Sequence, residues 1–451
     1  MNWCKLLSYL VVFVCIIGPV ASSAETAKKC EPHKDRALVL SGGGAKGAFE
    51  AGAIFHFVNH RDCDFRDITG VSAGALNGAY IAEAASDENS LHNLQVRTQG
   101  LVNYWRSITG PHDVLRPRFL GIPRLLLLGL DSLNDFTPLE IKLREMCPKK
   151  IRESKRSLRV GVVSFYDGVY REIDPKKEQD DEKFRKYVLA STAIPVYARL
   201  PIVRASTSRN GHHESEIQFA DGGVSHTTPL VAYFSPCDST KDRLGPDMKQ
   251  SGRLPGCVVR DLEEHEGPIK ELFVVVANPY DPASASLETK ETVISNGKEI
   301  LERTLDVLTT TSYRWDLNFA LAANRMLKWR EDTYAWAKSN MKGYKAREVL
   351  AIMGERGSSG VEFPVKSANL GPDGFSLPYK MGIVAPSKFY ADTYGFDKTN
   401  IRLQLYKGCI HADLMMVREF GMESMRDACK LEFPIDAEQL EGDPDPPLLA
   451  K

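Results

Sequence analysis

The chain has 451 residues, 43% hydrophobic and 26% charged, with 34 glycines and 25 prolines, a globular composition that excludes a disordered, fibrous or low-complexity chain. At about 150 residues per domain the length allows about three domains or one large one, and a core of that size folds without metals or disulfides. A formal net charge of −1 excludes a global field drawing the chain to nucleic acid or an anionic membrane, so no nucleic-acid partner is expected.

Lys5 precedes an apolar run over residues 6–17, then Gly18-Pro19 and small residues up to Ala24. That order predicts a signal peptide over residues 1–24, cleaved near Glu25, and a secreted or periplasmic protein. The alternative is a membrane anchor over residues 6–24, a stretch without charge that nearly reaches the ~20 residues of a spanning helix, although Gly18-Pro19 interrupts it. Loss of Cys4 and Cys15 with the leader leaves an odd number of the nine cysteines. Cys237 with Cys257, and Cys409 with Cys429 on either side of an expected helix, are candidate staples, with buried free thiols as the competing reading. No Cys-x-x-Cys pair occurs, and Cys30-x-x-His33 has no second pair at zinc-finger spacing, so no metal site is expected.

Residues 37–40 read as a buried strand entering a glycine-rich turn, and residues 47–58 as a helix. Strand, turn and helix repeat over residues 67–71 and 74–85. Residues 158–165 and 272–277 are further buried-strand candidates, 217–219 is a short one, and 293–330 form a long helix without proline. Residues 380–385 and 401–405 read as late strands. Strands alternating with helices predict an α/β fold with a mostly parallel central sheet covered on both faces. No linker interrupts residues 35–433, which predicts one large domain. Residues 434–451 form a polar tail expected to be disordered.

Three motifs carry chemistry. Ser41-Gly42-Gly43-Gly44-Ala45-Lys46-Gly47 lies between a strand and a helix and satisfies G-x-G-x-x-G. A dinucleotide site also needs a second strand ending in an acid about twenty residues on, and residues 56–67 are too charged for one. A P-loop is excluded because no Ser or Thr follows Lys46. The remaining use of such a loop is to aim backbone N–H groups at a developing oxyanion. Gly70-Val71-Ser72-Ala73-Gly74 matches G-x-S-x-G, which places a serine on a sharp strand-to-helix turn, with the Ala73 N–H as a further oxyanion donor. Asp221-Gly222-Gly223 follows a strand; alone it reads as an ordinary turn.

The order of these motifs resembles that of patatin-like phospholipases. Ala190-Ser191-Thr192-Ala193-Ile194-Pro195 and residues 408–415 agree with the family pattern, and matches are densest over residues 38–229. The resemblance implies a three-layer fold with a mostly parallel sheet flanked by helices, its later part over residues 270–433. It implies Ser72 as nucleophile, Asp221 as its only side-chain partner, and oxyanion N–H groups on Gly42, Gly43 and Gly44, with Lys46 in the family's basic position. The implied activity is hydrolysis of lipid or phospholipid esters through an acyl-enzyme, with no cofactor and no metal. Acyl transfer by the same dyad, a dinucleotide-binding protein and a non-catalytic lipid binder are the alternatives. An α/β-hydrolase triad would recruit His226, His265 or His411, none of which sits in a signature; His212-His213-Glu214 reads as a solvent-facing cluster. Residues 116–130 crowd apolar side chains between Arg116, Arg118 and Arg124, which reads either as a flap touching a membrane surface or as a buried connection.

Overall fold

Eight strands, β1 (Arg36–Leu40), β2 (Asp67–Val71), β3 (Ser157–Ser164), β4 (Tyr170–Ile173), β5 (Ile202–Ser206), β6 (Glu214–Asp221), β7 (Glu271–Val275) and β8 (Lys380–Val384), form one sheet. Their order is β8-β7-β1-β2-β3-β6-β5, with β4 added on β3. The run from β8 to β3 is parallel, and β4, β5 and β6 pair antiparallel at the other end. The central strands are mostly apolar because both faces are covered, with Arg36, Asp67 and Arg159 as their buried charged members. Leu38 and Leu40 enter one core with Phe273 and Val275, while Ala37 and Val39 enter a second with Leu272 and Val274. That alternation is the period of two along a strand.

The structure is a computed structural model. It describes most residues from Lys29 to Leu440. Residues 1–28, 119–130, 147–153, 207–213, 238–257, 260–268, 280–296, 344–366, 371–375 and 441–451, with a few shorter stretches, lie outside the described residues. The expected leader with its anchor alternative, the Cys237/Cys257 staple, the arginine-bounded segment past Arg118 and most of the tail therefore fall outside them. Among the described residues no helix is long and apolar enough to cross a membrane.

The helices are α1 (Gly47–Phe55), continued by a wide turn over His56–His60, α2 (Ala73–Ala82), α3 (Ser90–Ser107), α4 (Thr137–Met146), α5 (Asp181–Ser191), α6 (Gly297–Asn340), α7 (Lys398–Phe420) and α8 (Arg426–Glu432). On one face α1, α2 and α7 supply the core around Leu38 and Leu40. The opposite face is covered by α6 through Tyr313, Leu317, Ala320 and Leu327, a stripe at helical spacing. Helix, sheet and helix make three layers. Where α7 crosses α1 the backbones touch: a Cβ on Gly52 would lie 2.0 Å from the Leu405 carbonyl oxygen, and one on Gly408 1.9 Å from that of Phe49.

Residues 401–405 are the first turns of α7 and not a strand. Asp397 caps that helix by accepting the Asn400 N–H at 2.9 Å, and Gly421 ends it in the left-handed region at φ 65°. Ile401, Gln404 and Leu405 are the buried members of the stretch, a helical spacing that a five-residue apolar window does not separate from a strand. Two disulfides are present among the described residues, Cys30–Cys63 and Cys409–Cys429. The second was an expected pair, although Cys409 lies inside α7 instead of flanking it, and its bridge ties α7 to α8.

Candidate active site

Strand β3 exchanges partners along its length, and the exchange creates the site. Val71, the last residue of β2, is registered against Gly161, and Asp221, the last residue of β6, against Val162, the next position on β3. Ser72 follows Val71. Two motifs far apart in sequence therefore converge over one point of the sheet, at the carboxyl ends of β1 and β2, where open α/β sheets place their ligands. The Ser72 hydroxyl lies beside the Asp221 carboxylate and lowers its pKa. Both are buried, Ser72 at 7% exposure and Asp221 at 3%.

Ser72 holds φ 55° and ψ −123°, a backbone state costing a non-glycine residue on the order of 1–3 kcal/mol. Surrounding contacts sustain it. The Ser72 N–H donates to Ser191 Oγ at 2.9 Å, and the Ser191 hydroxyl donates to the Gly161 carbonyl at 2.7 Å, clamping the elbow to β3. The Gly74 N–H donates to the Ser41 carbonyl at 3.2 Å. A Cβ on Gly70 would come within 2.3 Å of the Gly74 carbonyl, and one on Gly74 within 2.5 Å of the Ser41 carbonyl. The two glycines of G-x-S-x-G thus let three backbone segments meet around the serine.

Burial pushes the Asp221 carboxyl up to about 7, against the opposing pull of the Gly223 N–H and the Ser72 hydroxyl. The Gly223 bond measures 2.7 Å, and the Asp221 N–H is fixed on the Ala193 carbonyl at 3.0 Å. No histidine figures among the groups that set this carboxylate. His226 is turned toward α6, its Nδ1 2.8 Å from Asp316, which also accepts the Thr228 N–H at 2.9 Å. The His411 Nε2 lies 3.1 Å from the Tyr390 hydroxyl. His265 lies outside the described residues, as do His212 and His213.

The glycine loop divides its work. The Gly42 N–H is committed to the Thr227 carbonyl at 3.0 Å and is not free for a ligand, contrary to the expectation for that residue. The N–H groups of Gly43, Gly44 and Ala73 have no acceptor among the described residues. Gly44 sits at φ +58°, where a Cβ would meet the Thr393 carbonyl oxygen at 2.2 Å. The Lys46 ammonium is buried and donates to Asn278 Oδ1 at 2.7 Å, just past β7, so it anchors the loop to the sheet. Beneath the loop, burial raises the Glu50 carboxyl well above the usual range, while Asn77 links Glu50 to the Trp105 indole N–H.

Gly44, Ser72 and Ala73 open onto one cavity whose walls include Ile108, Leu115, Phe136, Leu139 and Phe396. A hydroxyl paired with a high-pKa carboxylate, at the mouth of an apolar cavity and beside unused N–H donors, is equipped for acyl transfer. Sequence reasoning brought together Ser72, Asp221, Ala73 and the loop glycines. It missed Thr227 and Thr393, which act through backbone carbonyls and so leave no residue-type signal. It noted the stretch containing Ser191 without assigning that hydroxyl.

Among curated proteins none matches this sequence. Among solved structures, VipD from Legionella pneumophila is similar at 15% identity and a TM-score of 0.26, over 68% of this chain and 56% of VipD, so the chain spans little more than half of that protein's length. ExoU in the ExoU-SpcU complex of the Pseudomonas aeruginosa type III secretion system is similar at 12% identity and a TM-score of 0.21, over 72% of this chain and 67% of that one. The family model of patatin-like phospholipases matches residues 38–233, the segment that holds the glycine loop, the serine elbow and the Asp-Gly-Gly turn. Residues 38–233 are therefore similar to the patatin-like phospholipase family.

Proposed function

We propose that the protein hydrolyses carboxylic esters of phospholipids or lysophospholipids with Ser72 and Asp221 as a catalytic dyad. The observation that carries this reading is the buried Ser72 hydroxyl beside the buried Asp221 carboxylate, with Ser72 lining an apolar cavity. Ser72 Oγ attacks the ester carbonyl while its proton passes to the Asp221 carboxylate. The oxyanion is held by N–H groups of the glycine loop and Ala73, the positive end of α2 adding to them. Protonated Asp221 then returns its proton to the leaving alcohol. In the second half Asp221 takes a proton from water, the hydroxide attacks the acyl-enzyme, and Ser72 leaves as its hydroxyl is restored. The apolar walls suit a fatty acyl chain. Hydrolysis of phospholipid, lysophospholipid, triglyceride and p-nitrophenyl esters tests the assignment. Turnover should rise with acyl length, and inertness toward all of them would reject it.

The oxyanion role makes a separate prediction. Gly44→Ala forces a side chain onto a left-handed backbone and against the Thr393 carbonyl, so the loop must shift. Loss of one such donor typically costs about 10²–10³-fold in kcat, and KM for a short soluble ester should move much less. A parallel drop in kcat and rise in KM would instead mean that the cavity had collapsed. His226→Ala serves as the contrast. Because His226 engages Asp316 and not Asp221, its loss should leave kcat within a few-fold of wild type, and a fall matching that of an Asp221 variant would favour a triad.

We infer export as well. The bridges Cys30–Cys63 and Cys409–Cys429 support an oxidising compartment, in line with the expected signal over residues 1–24. Activity of the protein lacking residues 119–130, compared with wild type on vesicles and on a soluble ester, would test the membrane-contact expectation for residues 116–130: a loss on vesicles alone supports it, and an equal loss on both rejects it.

A further inference from the structure

Away from the dyad, four potential metal ligands meet in one place. His56 and His60 lie one turn apart on the wide turn after α1, Cys409 projects from α7 and Cys429 from α8. The His56 Nδ1 is 3.5 Å from Cys429 Sγ and 3.7 Å from Cys409 Sγ, the His60 Nδ1 is 3.9 Å from Cys409 Sγ, and the two Nδ1 atoms are 3.2 Å apart. All four ligand atoms lie within 4.8 Å of one another. A tetrahedral zinc ion at ~2.3 Å from sulfur and ~2.0 Å from nitrogen spaces a nitrogen and a sulfur about 3.5 Å apart. Three of the four imidazole–sulfur spacings already match that figure closely. The sulfurs, bonded here, must separate to a little under ~4 Å for the same ion.

We propose that Cys409 and Cys429, when reduced, join His56 and His60 in a Cys2His2 zinc site, so that this junction of α1, α7 and α8 is closed either by a disulfide or by a metal ion. The donor set selects the ion. Two thiolates and two imidazoles suit zinc and offer no oxygen to calcium or magnesium. Charge also balances: two thiolates and two neutral imidazoles around Zn2+ sum to zero, which a buried site tolerates. A dithiol reductant converts the disulfide to two thiols and is itself oxidised to a disulfide. Zinc then displaces two protons as it binds the two thiolates. Oxidation of the thiolates by a disulfide reverses both steps and releases the ion.

The surrounding hydrogen bonds differ between the two states. With the disulfide closed, the Arg61 Nε–H donates to His56 Nε2 at 3.2 Å, which leaves the ring proton on Nδ1, facing His60. With both Nδ1 atoms on zinc, the His56 proton moves to Nε2, which faces Asp413 Oδ1 at 3.5 Å, and the Arg61 Nε–H must turn away from that ring. That is the carboxylate–histidine–metal arrangement that fixes a ligating ring. Arg61 keeps its own 2.7 Å pair with Asp413 in either state. His60 is half-buried while the other three ligands are buried, so it forms the side open to solvent. The ligands come from three segments, which is why no linear motif announces them.

The test uses the full mature chain, reduced with a dithiol, incubated with zinc and desalted, beside the oxidised protein. Reduced wild type should retain about one zinc per chain beyond that held by a reduced Cys409→Ser/Cys429→Ser variant, and the oxidised protein should retain none at this site. Cobalt in place of zinc should show tetrahedral ligand-field bands with thiolate-to-metal charge transfer. Because the double variant loses a staple and can fail to fold, His60→Gln provides a second comparison that keeps both cysteines. It should weaken zinc binding at least about tenfold while leaving the oxidised protein's melting temperature unchanged. Equal zinc retention by reduced wild type and His60→Gln, or a cobalt spectrum without thiolate charge transfer, would overturn the proposal.

Discussion

Ser72→Ala is expected to lower kcat for ester hydrolysis by ~10⁴-fold or more, since removal of an attacking hydroxyl leaves only binding and oxyanion stabilisation. The fold should survive the change. Alanine carries the same Cβ as serine, so it takes the φ 55° elbow at no greater strain, and the Ser191 and Ser41 contacts that hold the turn involve backbone atoms of the elbow. What disappears is one hydroxyl beside a buried carboxylate. Asp221 then loses a group that lowers its pKa and should take up a proton more readily. The measurement pairs turnover with fluorophosphonate labelling and a melting curve. Wild type should label and the variant should not, at similar melting temperature. Turnover within ~100-fold of wild type would place the nucleophile elsewhere.

The sequence exposed those parts of the molecule whose physics is local. β1, β2, β3, β7 and β8 read as strands because strands of a covered sheet carry short, mostly apolar runs, and the long helix α6 because its pattern runs without proline. The serine elbow and glycine loop were visible for the same reason: close backbone approach and positive φ demand glycine at fixed spacing. Non-local physics stayed hidden. Residues 401–405 became helix through a cap at Asp397 and a crossing of α1 made close by Gly52 and Gly408, neither contained in a five-residue window. The engagement of Gly42 by Thr227, the Cys30–Cys63 bridge and the partner exchange of β3 all depend on segments meeting in space.

Asp221→Asn should reduce kcat/KM at least ~100-fold, the lower end for loss of a general base, and should also stabilise the protein at neutral and higher pH. The two effects share one cause. Burial lifts the Asp221 carboxyl from 3.8 to about 7, so between those values the folded chain holds a proton that the unfolded chain has released. Stability from this group is therefore highest below the unfolded pKa and declines as pH rises to about 7, above which the carboxylate is ionised in both states and the whole cost remains. About three pKa units at ~1.4 kcal/mol each put that cost on the order of 4 kcal/mol. Asparagine is neutral throughout and its amide oxygen still accepts the Gly223 N–H, so it avoids the penalty while keeping the turn. The melting temperature of Asp221→Asn relative to wild type should be nearly unchanged at about pH 4 and clearly raised at about pH 8. Wild-type kcat/KM should climb as pH passes about 7, because only the ionised form can accept the Ser72 proton. If the variant gained no stability between those two pH values, Asp221 would not be an ionised buried base, whatever its effect on rate. A gain in stability with little loss of rate would instead leave the carboxylate buried as described and assign the proton transfer to another group.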